Sequence, residues 1–144
     1  MQLVKENPSL SLSAVEVATR IRRRECTSLE ITQACIDRIK EVDEQLNAVV
    51  IPLFESALED ARRLDALARQ GKFVGPLHGV PVTIKECFYV AGTDCCLGVD
   101  ALADHPSDAD GVLVQRLKDA GAIVLGKTNI PQMMLWHECV NPVY

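Results

Sequence analysis

The sequence lacks any long hydrophobic run. Its longest stretch free of Asp, Glu, Lys and Arg spans residues 73–84, and that stretch contains Gly, Pro and His. A transmembrane helix needs about 20 apolar residues, so no membrane span is expected. The opening stretch MQLVKENPSLSLSAVEVATR has no apolar core of the length a secretory signal requires. Basic charge is also scarce. Lys and Arg number 15 against 20 Asp and Glu, a net charge of −5, and no basic cluster is larger than Arg22-Arg23-Arg24. Nucleic-acid binders carry a concentrated basic face, so direct contact with nucleic acid is not expected. The 6 cysteines, at positions 26, 35, 87, 95, 96 and 139, form no CxxC. Reduced thiols used as small apolar side chains are the expectation, in a soluble cytoplasmic chain. His137 and Cys139 have no second pair at ligand spacing, so no metal is expected.

What is present divides into two halves of a single 144-residue domain. Residues 1–71 carry helical periodicity. Ser13 to Glu16 and Thr27 to Glu30 each fit a capping box. Behind the first, Ala14, Val17, Ala18 and Ile21 share a helical face. Behind the second, Ile31, Cys35, Ile39, Val42 and Leu46 make one stripe. Pro52 suits the first turn of a third helix, whose stripe is Phe54, Ala57, Leu58, Ala61, Leu64 and Ala68, with Gly71 ending it.

Residues 72–144 read differently. GKFVGPLHGVP is Gly- and Pro-rich and predicts a loop. Residues 80–84, VPVTI, are apolar and β-branched, the composition of a strand buried on both faces. Residues 88–106 read as a loop. Ser107 then predicts a cap for a helix with Asp108 and Asp110 in its first turn. Leu113, Val114, Leu117 and Ala120 form its inner face, and Gly121 ends it. Residues 122–125 predict a second strand. Strand, helix, strand is a βαβ crossover with parallel pairing.

The segment GAIVLGKT, residues 121–128, fits the phosphate-loop pattern GxxxxGK[ST] at every required position. Its context does not fit. A phosphate loop runs from strand to Gly-rich loop to helix. Here a helix precedes Gly121, and the variable positions Ala-Ile-Val-Leu are a strand whose amides belong to a sheet ladder. No nucleotide, and no other cofactor, is expected.

Lys85 stands where the apolar run 80–84 ends. A lysine at the C-terminal end of a parallel strand lies where α/β enzymes place their chemistry, and burial there lowers its pKa toward a working base. Position alone favours a surface lysine paired with Glu86 or with a helix end.

Taken together, GPLHGVPVTIKECF, DGVLVQRLKDAGAIVLGKTNIPQ and NPVY resemble the amidase signature family, and within it the fatty-acid-amide-hydrolase branch. The resemblance runs from about Ser11 to Tyr144. It implies an α/β fold: the helices followed by a βαβ unit of a mixed central sheet, as the N-terminal part of a larger whole. It implies hydrolysis of a small-molecule amide by a Ser–cis-Ser–Lys triad, with Lys85 as the triad lysine. It further implies that Met133, Met134 and Leu135 line an acyl pocket, where plain core packing is the competing reading. The family's serines lie in a Gly-Ser-rich segment downstream of the NP motif, and no such stretch occurs here. The resemblance therefore predicts an N-terminal segment that is inactive alone. The tRNA-dependent amidotransferases have one component that shares the GxPxxIK and GKTN wording, and it is the rival within enzymes. A non-catalytic interaction module is the rival outside them. An incomplete sheet also predicts an exposed edge open to self-association.

Overall fold

The computed structural model describes residues 8–144. Its helices are α1 (Ala14–Arg22), α2 (Ser28–Leu46), α3 (Phe54–Arg69) and α4 (Val112–Asp119). Its strands are β1 (Val49–Pro52), β2 (Pro81–Lys85) and β3 (Ile123–Thr128). The three form one sheet in the order β1-β3-β2. β2 runs parallel to β3 and β1 antiparallel to it, so the sheet is mixed. The crossover from β2 through α4 to β3 is the expected βαβ unit.

Both predicted capping boxes form. The Ser13 and Thr27 side chains accept the N–H of Glu16 and Glu30, and each glutamate reaches back to the cap. A further cap was hidden from the sequence. Asp65 of α3 is buried, and its carboxylate accepts the Ser28 and Leu29 N–H groups at 2.7 and 3.1 Å. A carboxylate at a helix N-terminus meets unpaired amides and the positive end of the dipole. α2 and α3 are thereby joined by a polar bond as well as by packing.

β3 separates two of the three apolar clusters among the described residues. Ile123 and Leu125 face Ile36 of α2 and Ala57, Ala61 and Leu64 of α3. Val124 faces Ile84, Val90 and Val114 of α4. The third cluster packs Val17, Ala18 and Ile21 of α1 against Ile31 and Val80. Full burial of each Ile or Leu stabilises by about 1.5–3 kcal/mol. α4 ends in a Schellman turn: the Gly121 N–H donates to Lys118 C=O and the Ala122 N–H to Leu117 C=O. Gly121 has φ +92° there, and a Cβ on it would come within 2.7 Å of the His78 Cα.

Several expectations need correction. The half predicted as purely helical contains β1. Asn47 ends α2 in the left-handed region at φ 49°, the Asp43 carboxylate accepts the Ala48 and Val49 N–H groups, and the β-branched Val49–Ile51 run pairs with β3. Pro52 closes that strand, and α3 begins at Phe54. Ser107 caps no helix. Its hydroxyl donates to Ala109 C=O, α4 starts after Gly111, and Asp110 instead accepts from Ala91 N–H and Lys118. The strand buried on both faces is β3, whereas β2 lies at the sheet margin with Thr83 exposed. β3 also continues past residue 125 to Thr128. Ala14, Leu46 and Leu113 are exposed, and the fully buried apolar residue of α2 is Ile36, which the predicted stripe passed over.

His78 fastens the Gly-Pro loop to α3. It is buried, its Nδ1 accepts the Val74 N–H at 3.0 Å, and its Nε2 donates to Leu64 C=O at 3.2 Å. This pattern requires a neutral ring, because a second ring proton would face the Val74 N–H. Burial lowers the His78 pKa, against the opposing effect of the Leu64 bond. A folded pKa below the unfolded value leaves stability unaffected above the ordinary histidine range and erodes it as pH falls through about 6.5. The denaturant midpoint should therefore drop between about pH 7 and about pH 5, and less steeply in His78→Gln. Equal slopes for the two proteins would contradict this.

Candidate functional site

β2 delivers Lys85 to the C-terminal end of the parallel β2–β3 pair, opposite Thr128. Its backbone is bracketed on both sides. The Phe88 N–H donates to Lys85 C=O at 3.0 Å, and the Glu86 N–H donates to Thr128 C=O at 3.0 Å. The Lys85 side chain is exposed, while that of Glu86 is completely buried. Alternation at the end of a strand separates the two.

Glu86 is the centre of a polar cluster beneath Lys85. Its carboxylate accepts the Cys96 N–H at 2.6 Å, the Leu97 N–H at 3.1 Å and the Tyr144 hydroxyl at 3.2 Å. Tyr144 Oη also lies 3.4 Å from the Cys96 Sγ. Burial raises the Tyr144 pKa, reinforced by Cys96 and Glu86. Lys127 is fully buried and its Nζ donates to Asp94 C=O. Burial lowers the Lys127 pKa, with the Glu86 carboxylate opposing. A bulge in β3 sets the position of Lys127. The register slips between Val82 and Thr83, so that Lys127 comes opposite Ile84; bulges of this kind re-aim side chains.

Two asparagines tie the C-terminal segment to the sheet. The Asn129 side chain donates to Asn47 C=O at 3.0 Å and accepts from Asn141 at 2.9 Å. Asn141 also donates to Ile130 C=O and accepts the Val143 and Tyr144 N–H groups. The KTN and NPVY wordings thus meet in space and set Tyr144 onto Glu86.

Met133, Met134 and Leu135 sit on a 3-10 turn, Gln132–Met134, and its following residue. They are 46%, 49% and 82% exposed, so none is packed in a core here. Met133 and Leu135 line an open depression of about 450 Å³ with Gln132, Trp136 and Val140, which Met134 does not line. Met133 and Met134 hold φ near +54° and +59°, left-handed values that side-chain-bearing residues disfavour. The turn connects to the lysine end through one residue: Leu97 gives its N–H to Glu86 and accepts the Met133 N–H at 2.8 Å. Glu86, Lys127, Tyr144 and the two asparagines escaped sequence reasoning. The signal that could have found them was an acid directly after an apolar strand, with a buried lysine spaced to match on the next.

A protein-family model described as Amidase matches residues 30–144. Fatty-acid amide hydrolase 2-A of Danio rerio is 43% identical over 145 aligned positions, covering 96% of this chain and 27% of that protein. A glutamyl-tRNA(Gln) amidotransferase subunit of Cutibacterium acnes is 39% identical over 129, covering 90% and 26%. A solved fatty acid amide hydrolase superposes with a TM-score of 0.88 at 26% identity, over 94% of this chain and 25% of that one. The chain spans about a quarter of the length of the relatives it matches.

Residues 123–128 of the phosphate-loop wording are strand β3, with Gly121–Lys127 buried throughout. Titration with ATP or GTP and Mg²⁺ should give no micromolar heat signal. Binding that Lys127→Ala abolishes would contradict this placement.

Proposed function

The chain belongs to the amidase family, and on that premise we propose that it carries the lysine end of a site that cleaves carboxylic amide bonds. The observation that supports this most directly is Lys85 at the C-terminal end of β2, opposite Thr128. In the Ser–cis-Ser–Lys scheme a neutral Lys85 takes a proton from the bridging serine. That serine takes one from the nucleophilic serine, whose oxygen adds to the amide carbonyl. The relayed proton then leaves with the amine, and water releases the acyl group. Lys85 must be uncharged to begin, and removal from water is what favours that form. Here its side chain is exposed, so the scheme requires bound substrate or further packing to take it out of water.

The 144-residue chain alone is read as inactive. The hydroxyls of Ser13, Ser56 and Ser107 are engaged elsewhere, and Ser28 is buried away from Lys85's end of the sheet. Ser13 caps α1, Ser28 is buried in the first turn of α2, Ser56 donates to Leu53 C=O and Ser107 to Ala109 C=O. The substrate is a small amide, with a fatty acyl group favoured by the likeness to fatty-acid amide hydrolase 2-A and by the apolar depression at Met133 and Leu135. Met134, on the same turn, joins that lining in the assembled site. A second reading, the amide-processing component of an amidotransferase, is supported by the Cutibacterium acnes relative. The free cysteines support a cytoplasmic setting, and the open margin of β2 supports self-association by edge pairing.

The isolated chain should turn over neither fatty-acid amides nor aryl amides above background. Turnover that Lys85→Ala removes would overturn the reading. In a protein that joins this segment to a Gly-Ser-rich one, Lys85→Ala and Lys85→Arg should each lower kcat by orders of magnitude with the fold intact, because a guanidinium does not give up its proton. Near-full activity in Lys85→Arg would reduce the lysine to a fixed charge.

A further inference from the structure

Glu86 and Lys127 are the two fully buried charged residues at the C-terminal end of the parallel pair. Each spends its hydrogen bonds on the same stretch of backbone. Lys127 Nζ holds the Asp94 C=O, and the Glu86 carboxylate holds the Cys96 and Leu97 N–H groups. Residues 94–97 are therefore gripped by a cation at a carbonyl and by an anion at amides two and three residues on. Bonds of this kind are charge-assisted and stronger than neutral ones. Either charge left alone at this depth is costly.

We propose that Glu86 and Lys127 are positioning residues that act as a charge clamp on residues 94–97 and, through it, fix the backbone of Lys85. Two features give the clamp its reach. Glu86 is covalently next to Lys85, and its own N–H is bonded to Thr128, the β3 partner of Lys85. Leu97, held by Glu86, accepts the Met133 N–H, so the clamp also sets the turn that carries the apolar depression. The base and the acyl-facing turn are thus referenced to one pair of buried charges. Calling the lysine a base rests on the reading above; the clamp itself does not.

The test is amide hydrogen exchange on the 144-residue chain, resolved by residue, in wild type, Glu86→Gln, Lys127→Met and the double variant. Each single change should speed exchange at Cys96 and Leu97, and at the Glu86 and Phe88 amides that bracket Lys85, by more than about tenfold. Ile36 and Ala61, in the α2–α3 core, should stay within about twofold. The double variant leaves neither charge unpaired and should regain part of the protection lost by the singles. A loss at Cys96 and Leu97 that spares Glu86 and Phe88 would overturn the claim that the clamp positions Lys85. Unchanged exchange, equal loss at Ile36 and Ala61, or a double variant worse than the singles combined would each overturn the proposal. Turnover by Lys85 variants is read separately, so failure of the base role leaves this result intact.

Discussion

Burial of β3 on both faces is the constraint from which the rest of the molecule follows. A strand covered by α2 and α3 on one side and by α4 on the other has no solvent to satisfy its backbone, so each edge must find a ladder partner. β2 supplies one from the parallel side and β1 the other from the antiparallel side. Gly126 allows the second approach, since a Cβ there would come within 2.6 Å of Ile51 O. The covering helices in turn need mutual support, which the Asp65 carboxylate and the Ile36–Leu64 packing provide.

The same burial makes a lysine in β3 conspicuous. Lys127 has no access to water. Its ammonium is tolerable only because a carbonyl meets it and a carboxylate lies near enough to oppose the loss of charge. The polar interior at this end of the sheet is therefore a connected set rather than a scatter of surface contacts. Lys127, Glu86, Tyr144, Asn141 and Asn129 pass from β3 to the loop after β2 and on to the C-terminal segment. Exposed side chains flank this set, with Lys85 on one side and the Met133–Trp136 stretch on the other.

Much of the framework was legible because local chemistry and tertiary packing agree. The two capping boxes announce α1 and α2, and the apolar run before Lys85 announces β2. The helix-then-strand reading of residues 107–125 separates GAIVLGKT from a phosphate loop. The misses share one cause: the deciding partner lies far away in sequence. β1 is a strand because β3 is beside it, and Pro52 looks like a helix start until that pairing is known. Ser107 loses the cap because Asp110 is drawn to Ala91 and Lys118. Glu86 reads as a surface acid until Cys96, Leu97 and Tyr144 are folded onto it. Lys85 was singled out by its place after the apolar run and given its role, like Met133, by resemblance; the connection of their segments through Leu97 belongs to the fold alone.

The pairing of β1 with β3 has a consequence for how the chain is made. α2 and α3 are close in sequence and can close on each other as soon as both have been synthesised. Val49, between them, has its partner at Thr128, so β1 is complete long before the strand that pairs with it exists. Contacts so distant along the chain form late, after their loop-closure cost has been met. A bare β-branched strand is in that interval an invitation to pair with the wrong neighbour. The stretch VVI is short, and Asn47 on one side and Pro52 on the other keep it from lengthening in either direction. The features that stop this strand from being a longer one also shorten the edge it offers a wrong partner before β3 arrives.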